Sequence, residues 1–321
     1  MAKHGISEDT VRKQITLCTD RGSNMLSAFA EFTRIDDVCH QMSILSKRIV
    51  DPYKNNWLPE QFRLDDDVKE SLKGLTKLLK DSTKVIKGIN SRPKLRKQLS
   101  EGGIFLAAHH EIRWLSRYRS IKSLLKLLEE DNENLKEAVF DVLAEYRFNG
   151  QYVYREAVDN INAHVEDLRN YVEFIKPIKD AVKILESETE PTINQILVQY
   201  HNIENHFREA LGDENEVIKN MAKSGIAALS YHKTISSSFS DIHTLGLMLD
   251  PLQKDKLLAI TGRDNILEAI NMFKRYVRKY DNRPAPQEEH VDDPMIDSPF
   301  AEFTTSNIDL LDVEIESYLK K

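Results

Sequence analysis

The chain has 321 residues, of which 40% are hydrophobic and 30% charged, and its formal net charge is −7 at pH 7. This length allows one large domain or two ordinary ones, each with a real hydrophobic core. The 11 glycines and 10 prolines are too few for a turn-rich all-β fold. No apolar run approaches the ~20 residues of a membrane helix, and the N-terminus lacks the apolar core of a signal peptide. Cys18 and Cys39 lack CxxC spacing, which indicates an intracellular, reducing compartment.

Residues 14–40 predict a strand, an acidic loop, a helix and a second strand. The β-prone residues 14–18 stop shortly before Asp20, and the Arg-Gly-Ser-Asn stretch that follows favours a turn and a helix start. Residues 35–39 predict the second strand, ahead of His40. This pattern places the Asp20 carboxylate at the carboxyl end of a strand, where open α/β sheets usually build their sites. A turn or helix-cap role for Asp20 is the competing interpretation.

Most of the remaining chain has the apolar spacing of amphipathic helices, so the expected fold is mainly α. Gly102-Gly103 ends a short basic helix, and Asn149-Gly150 predicts a turn. Pro177 predicts a kink or a join within one long helix. The predicted helices cover residues 41–50, 62–86, 94–99, 121–128, 132–146, 154–185, 190–211, 214–234, 240–249 and 264–280.

The C-terminal region changes character. Residues 282–306 are acidic and proline-rich at first, with almost no apolar periodicity, and they predict a disordered linker. Residues 307–321 regain amphipathic spacing. We expect them to form a helix that leads into a dimerisation region.

Positive charge is concentrated in residues 84–126, which contain 11 lysines and arginines against two glutamates. That segment carries +9, and because the whole chain carries −7, the remainder carries −16. A local basic block in an acidic protein indicates nucleic acid more strongly than the overall pI does. One cluster in it could contact phosphates, although a solvated surface helix is an equal alternative. The cluster consists of Arg92, Lys94, Arg96 and Lys97.

Several motifs resemble those of hAT superfamily transposases, and they occur in the family's order along nearly the whole chain. The stretch TDRGSNM at residues 19–25 resembles the family's TD-R/N-G-x-N loop, and His40 resembles the histidine of its C-x-x-H motif. Arg113-Trp114 and the residues that follow resemble its RWNSTY…LL segment. Weaker similarities lie at residues 177–192, 249–254 and 311–319.

The resemblance implies a partial RNase H-like α/β fragment at the N-terminus, attached to a large helical domain of the insertion type. The expected regions are a partial RNase H-like core at 1–45, an all-helical domain at 46–281, the linker at 282–306 and the amphipathic helix at 307–321.

The family's catalytic set is Asp, Asp and Glu, which bind Mg²⁺ or Mn²⁺ for strand transfer. Asp20 matches the second member alone. The first Asp belongs before this chain begins and the Glu beyond its end, and Asp37 replaces the cysteine three residues before His40. We therefore expect no autonomous strand transfer and no cofactor, with Asp20 a metal ligand only if partner carboxylates are supplied.

Without strand transfer, DNA binding is the remaining activity that the resemblance implies for this chain. DNA binding in turn implies a nuclear protein. Trp114 would stack beside a flipped base, where stacking is worth ~1–3 kcal/mol. A core tryptophan at a helix start is the competing interpretation. The expected DNA-binding residues are Trp114, Arg113, Arg117, Arg119, Lys122, the cluster Arg92, Lys94, Arg96 and Lys97, and His40.

Two alternatives stay open at this point. One is a helical interaction protein that forms a homo-oligomer through its C-terminal helix and has no role in DNA binding. The other is a fragment of a complete, active transposase whose missing carboxylates are encoded in flanking sequence. In neither case does the sequence indicate a membrane partner.

Overall fold

In a computed structural model the chain is mainly α-helical, as the sequence predicted. The structure describes residues 16–20, 22–51, 59–110, 115–187, 189–235, 241–253, 256–261, 263–280 and 317. The strands are β1 (Thr16–Thr19), β2 (Thr33–Asp36), β3 (Arg147–Phe148) and β4 (Gln151–Tyr152). The helices are α1 (Ser23–Ala28), α2 (Val38–Val50), α3 (Asp66–Asn90), α4 (Pro93–Glu101), α5 (Ser116–Leu127), α6 (Glu133–Ala144), α7 (Arg155–Ala163), α8 (Val165–Leu185), α9 (Ile196–Ala210), α10 (Glu216–Ile235), α11 (Asp241–Met248), α12 (Leu257–Thr261) and α13 (Arg263–Tyr280).

The described chain begins with a small parallel pair. β1 and β2 run side by side, with Thr16 opposite Thr33 and Thr19 opposite Asp36. Parallel neighbours need a crossover of about a dozen residues, and α1 lies within it. Every residue of α1 is at least partly exposed, so this helix contributes little to a core. The strand, helix and second strand follow one another as the sequence predicted.

The second strand begins and ends earlier in the chain than predicted, at Thr33 and Asp36. β2 ends at Asp36, and α2 begins at Val38, so Cys39 lies on a helix and not on a strand. The cause is the Asp37 side chain, which accepts a hydrogen bond from the backbone N–H of His40 and so caps α2. The prediction that residues 35–39 form one strand is wrong for this reason.

The structure separates into two compact units. One comprises Met1–Ser187 and Tyr200–Ser237, and the other comprises Glu188–Gln199 and Ser238–Lys321. This division differs from the sequence-based one. The boundary expected at residue 45 lies inside α2, which continues to Val50.

The first unit is built around α3. This helix buries an apolar stripe of residues three and four apart, and it packs against α2, α4, α5, α6, α7, α8 and α10. Each fully buried leucine or valine contributes roughly 1.5–3 kcal/mol relative to exposure. The stripe consists of Val68, Leu72, Leu75, Leu78, Leu79, Val85, Ile86 and Ile89.

Polar contacts fix neighbouring helices to α3 and α2. The Thr76 hydroxyl donates to the Val50 carbonyl at the end of α2. On α10, the Asn220 amide donates to the Ser71 hydroxyl at 2.9 Å, and the Ser224 hydroxyl donates to the Arg48 carbonyl at 3.3 Å. Buried polar groups with such partners stabilise one arrangement of helices over others.

The region predicted as one helix from 154 to 185 is two helices. α7 ends at Ala163, His164 has a non-helical backbone, and α8 begins at Val165. Pro177 lies inside α8 and marks no join. The sequence predicted a kink or a join at Pro177, and the join lies instead at His164.

The second unit has its own small core. It is formed by the first residues of α9 and by α11, α12 and α13. The Asn194 amide donates to the Asp250 side chain at 2.7 Å, and the other Asp250 oxygen accepts from the Leu252 N–H at 2.9 Å. The core residues are Leu197, Val198, Leu247, Met248, Leu257, Ile266 and Ile270.

Searching the described residues finds no helix that is long and apolar enough to cross a membrane. Several predictions fall outside those residues. They concern Arg113 and Trp114, the linker at 282–306 and, except for Ser317, the helix at 307–321.

Candidate nucleic-acid interface

Carboxylates lie at the carboxyl end of the β1–β2 pair, and donors from the same edge hold them. Asp36 is only 1% exposed, and its Oδ1 atom lies 3.2 Å from Nη2 of Arg34. The same guanidinium donates to the Asp20 carbonyl oxygen at 3.1 Å. The Asp20 side chain accepts the backbone N–H of Gly22 at 2.9 Å, which is the turn role that the sequence offered as an alternative.

His40 lies in the first turn of α2, one residue after Cys39. Its backbone N–H donates to Oδ1 of Asp37 at 3.0 Å, and its side chain is half-buried. His40 therefore lies on α2, next to the end of β2, and not on the element that carries the predicted basic cluster. Burial and the Asp37 carboxylate raise the pKa of the Cys39 thiol to about 12, so this thiol is protonated at neutral pH.

The residues that the structure describes contain no group of three or more His, Cys, Asp or Glu side chains able to hold a metal ion. Asp20 lies near Asp36 and Asp37 in the fold, but Asp36 is paired with Arg34 and Asp37 caps α2.

The basic cluster lies on and before α4. Pro93 is the first residue of this helix, a position where its missing N–H costs nothing. Leu95 and Leu99 are buried and attach the helix to the first unit. The opposite side chains point to solvent, and three of the four predicted cations are among them. They are Lys94, Arg96 and Lys97.

Arg92 is the exception, because its guanidinium is used within the fold. It lies 4.1 Å from the ring centroid of Tyr146 and 5.0 Å from that of Tyr154. It also donates to the Gly88 carbonyl and, at 3.3 Å, to the Ser91 hydroxyl. Cation–π contacts and a charged hydrogen bond of this kind favour a packing role. The structure therefore separates Arg92 from the other three cations.

The turn after α4 determines which side chains reach solvent. Gly103 has a φ of 74°, which favours glycine, and its N–H donates to the Ser100 carbonyl. The next N–H, that of Ile104, donates to the Leu99 carbonyl at 2.9 Å. This pair of bonds is a Schellman motif, and the two residues that usually make its apolar contact, Leu99 and Ile104, are both buried. The following side chain, Phe105, is 74% exposed.

Phe105 lines an open groove of about 440 Å³ next to the cations of α4. Two hydrogen bonds hold the backbone of this segment in place. Asn90 donates to the Leu106 carbonyl at 3.2 Å, and the Ala107 N–H donates to the Ser123 hydroxyl at 2.8 Å. The groove is lined by Asn90, Pro93, Arg96, Lys97, Leu99, Ser100, Ile104, Phe105 and Leu106.

The predicted cations of α5 lie elsewhere on the first unit. Arg117 is half-buried and lines a cavity of only about 20 Å³ together with Tyr171. Arg119 and Lys122 are exposed, and the Lys122 ammonium lies 5.9 Å from the ring centroid of Tyr118. None of these three side chains lines the groove described above.

The structure thus brings two predicted residues, Arg96 and Lys97, together with one that sequence reasoning missed. Phe105 lies in a short apolar run, residues 104–108, which falls between the predicted helices at 94–99 and 121–128. The available signal was the Gly102-Gly103 pair, because the apolar residue after a Schellman glycine commonly packs back on the helix, which assigns the buried position to Ile104 and not to Phe105. In comparisons with protein-family models and with curated proteins, no match to this chain was found.

Proposed function

We propose that this protein binds DNA through the exposed cations of α4 and is related to hAT transposases. The observation that carries the proposal is the arrangement of Lys94, Arg96 and Lys97. All three are exposed and come from one helical segment, and the exposed ring of Phe105 lines the same groove as Arg96 and Lys97. Cations with an adjacent aromatic ring are typical of nucleic-acid surfaces. This role implies a nuclear protein.

The architecture supports the proposed ancestry. The parallel β1–β2 pair with α1 between them fits a portion of an RNase H-like sheet. The helices that follow fit the large helical insertion that the motifs imply. In this proposal the first unit carries the DNA-binding surface.

The proposal includes no autonomous strand transfer. Strand cleavage by two metal ions requires several carboxylates that converge on the ions. Asp20 is the position at which the chain matches the family's catalytic carboxylates. Its neighbour Asp36 is buried against Arg34, and Asp37 is the N-cap of α2. Both therefore stabilise the local fold.

A salt titration of DNA binding tests the proposal. The variant Lys94→Ala/Arg96→Ala/Lys97→Ala should bind a fluorescent 20-base-pair duplex more weakly than the wild type. Because each phosphate contact releases a counterion, the slope of log K against log salt should fall in magnitude by up to about 3. Fluorescence anisotropy at a series of KCl concentrations measures both quantities.

A charge-matched variant controls for the general loss of positive charge. Lys176, Lys183 and Lys223 are exposed and lie on α8 and α10. Replacing these three with alanine should leave the slope close to that of the wild type. The proposal is overturned if the two triple variants lose the same affinity, or if binding by the wild type does not depend on salt.

A further inference from the structure

The groove beside α4 offers two kinds of contact at once. Phe105 presents most of its ring to solvent, although large aromatic side chains are usually buried. Arg96 and Lys97 line the same groove. A ligand that matches the groove therefore combines a flat, apolar face with a negative charge.

Lys97 is available to such a ligand in spite of an ion pair. Its ammonium lies 3.7 Å from the Glu101 carboxylate, and both side chains are largely exposed. Exposed pairs of this kind contribute little, so a phosphate can replace the carboxylate at small cost. The guanidinium of Arg96 can hold a phosphate through two parallel hydrogen bonds.

The groove has the size of a small-ligand site. Its volume of about 440 Å³ falls within the range of roughly 300–1,000 Å³ that such sites occupy. The hydrogen bonds from Asn90 and to Ser123 hold the segment that carries Phe105, so the ring stands on a fixed backbone. A backbone that is already ordered loses little further entropy when a base stacks on the ring that it carries.

We propose that this groove binds single-stranded DNA, with an unpaired base stacked on Phe105 and the flanking phosphates on Arg96 and Lys97. In a duplex both faces of each base are already stacked, so the ring has no base face to contact. This inference rests on the proposed DNA binding and adds to it the type of strand and the residue that recognises it.

The test compares Phe105→Ala with the wild type on a fluorescent 20-nucleotide oligo(dT) and on a 20-base-pair duplex. Loss of one stacked base should weaken oligo(dT) binding by roughly 5- to 150-fold and leave duplex binding within about twofold. Phe105→Trp should retain oligo(dT) binding because indole also stacks. Fluorescence anisotropy at one fixed salt concentration measures all complexes.

Phe148 provides a matched control, because it is 64% exposed and lies on β3. Phe148→Ala should bind both DNAs like the wild type. Equal losses in Phe148→Ala and Phe105→Ala, or an oligo(dT) affinity that Phe105→Ala leaves unchanged, would overturn the inference. An equal loss on duplex and oligo(dT) in Phe105→Ala would overturn the preference for single strands. Tighter binding of oligo(rU) than of oligo(dT) would overturn the assignment to DNA.

The triple variant of α4 separates the two proposals. If it weakens duplex binding while Phe105→Ala has no effect on oligo(dT), the base-stacking inference fails and the proposed function stands. If it weakens neither complex, both proposals fail.

Discussion

Arg92 and Arg96 have the same side chain and lie one helical turn apart, yet Arg92 packs within the fold and Arg96 faces solvent. Arg92 lies against Tyr146 and Tyr154 and donates to a carbonyl of α3. Arg96 is exposed at the edge of a groove. The difference comes from the neighbours of each guanidinium, since charge alone would make the two equivalent.

Arg92→Lys should lower the free energy of unfolding by about 1 kcal/mol. The ammonium keeps the charge, but it loses the planar stacking on two tyrosine rings and the fork of N–H donors. Urea denaturation measures the change. Lys94→Ala, an exposed neighbour, should stay within about 0.5 kcal/mol of the wild type. Equal stabilities of Arg92→Lys and the wild type would contradict the packing role.

Sequence reasoning could group Arg92 with the other cations but could not separate it from them. Its partners Tyr146 and Tyr154 lie far away in sequence, and no periodicity connects them to Arg92. For the same reason the exposure of Phe105 was not predicted, since an apolar residue in a short run is equally compatible with a core position.

At the scale of elements, the close approach of Tyr154 to α3 depends on a glycine. A Cβ atom on Gly88 would lie 2.7 Å from the Tyr154 ring, whereas one on Gly74 in the same helix would meet nothing within 4 Å. A side chain at position 88 would therefore collide with Tyr154, whereas position 74 has open space for one.

Gly88→Ala should lower the free energy of unfolding by about 1–3 kcal/mol because the added methyl group overpacks the contact with Tyr154. Gly74→Ala should instead raise it by about 0.5–1 kcal/mol, because alanine is the better helix former. Thermal or urea unfolding of the two variants measures the contrast. A stabilising effect of both substitutions would show that Tyr154 does not pack on Gly88 in solution.

Helices with a regular apolar stripe were predicted well, and their junctions less well. The stripe of α3 is visible in the sequence because leucines recur three and four residues apart. The break at His164 has no glycine or proline to mark it, and the apolar spacing continues into α8. Conversely, Pro177 suggested a kink or a join, and it lies within α8 without marking a join. The cap formed by Asp37 shortened β2 because a local side-chain hydrogen bond outweighed strand propensity.

At the scale of the whole molecule, stability should fall at alkaline pH partly through Cys39. Its pKa is raised to about 12 in the fold, from an ordinary value near 9. The unfolded thiol loses its proton first, so the stability contributed by the neutral buried thiol is present below about pH 9 and is lost as the pH rises towards 12. Urea denaturation at pH 7.5, 9 and 10.5 should show this decline.

Cys39→Ala is the comparison variant for this prediction. It should be less stable than the wild type at pH 7.5, because a buried thiol is removed, but its stability should decline less steeply above pH 9. Burial also raises the pKa of Tyr171 to about 12. This group contributes the same loss of stability at alkaline pH to both proteins. Parallel declines in the two proteins would contradict the role of Cys39.

The division into two units is the feature of the whole molecule that the sequence indicated least. Residues 188–199 belong to the second unit, although the helix α9 continues from them into the first. Apolar spacing shows that each helix has a buried side, but it does not show which other helix covers that side. The mainly helical class, by contrast, followed from that spacing and from the low glycine and proline content.

The stack on Arg92 also has a consequence for the order of events during synthesis. A ribosome completes α4 well before it reaches Tyr146 and Tyr154, and domains generally begin to form from the N-terminal side. A nascent chain that ends within α6 therefore carries α4 without the two aromatic rings that hold Arg92, the residue before the helix. The Arg92 guanidinium can reach its folded position between the two rings only after residues 146–154 have left the exit tunnel.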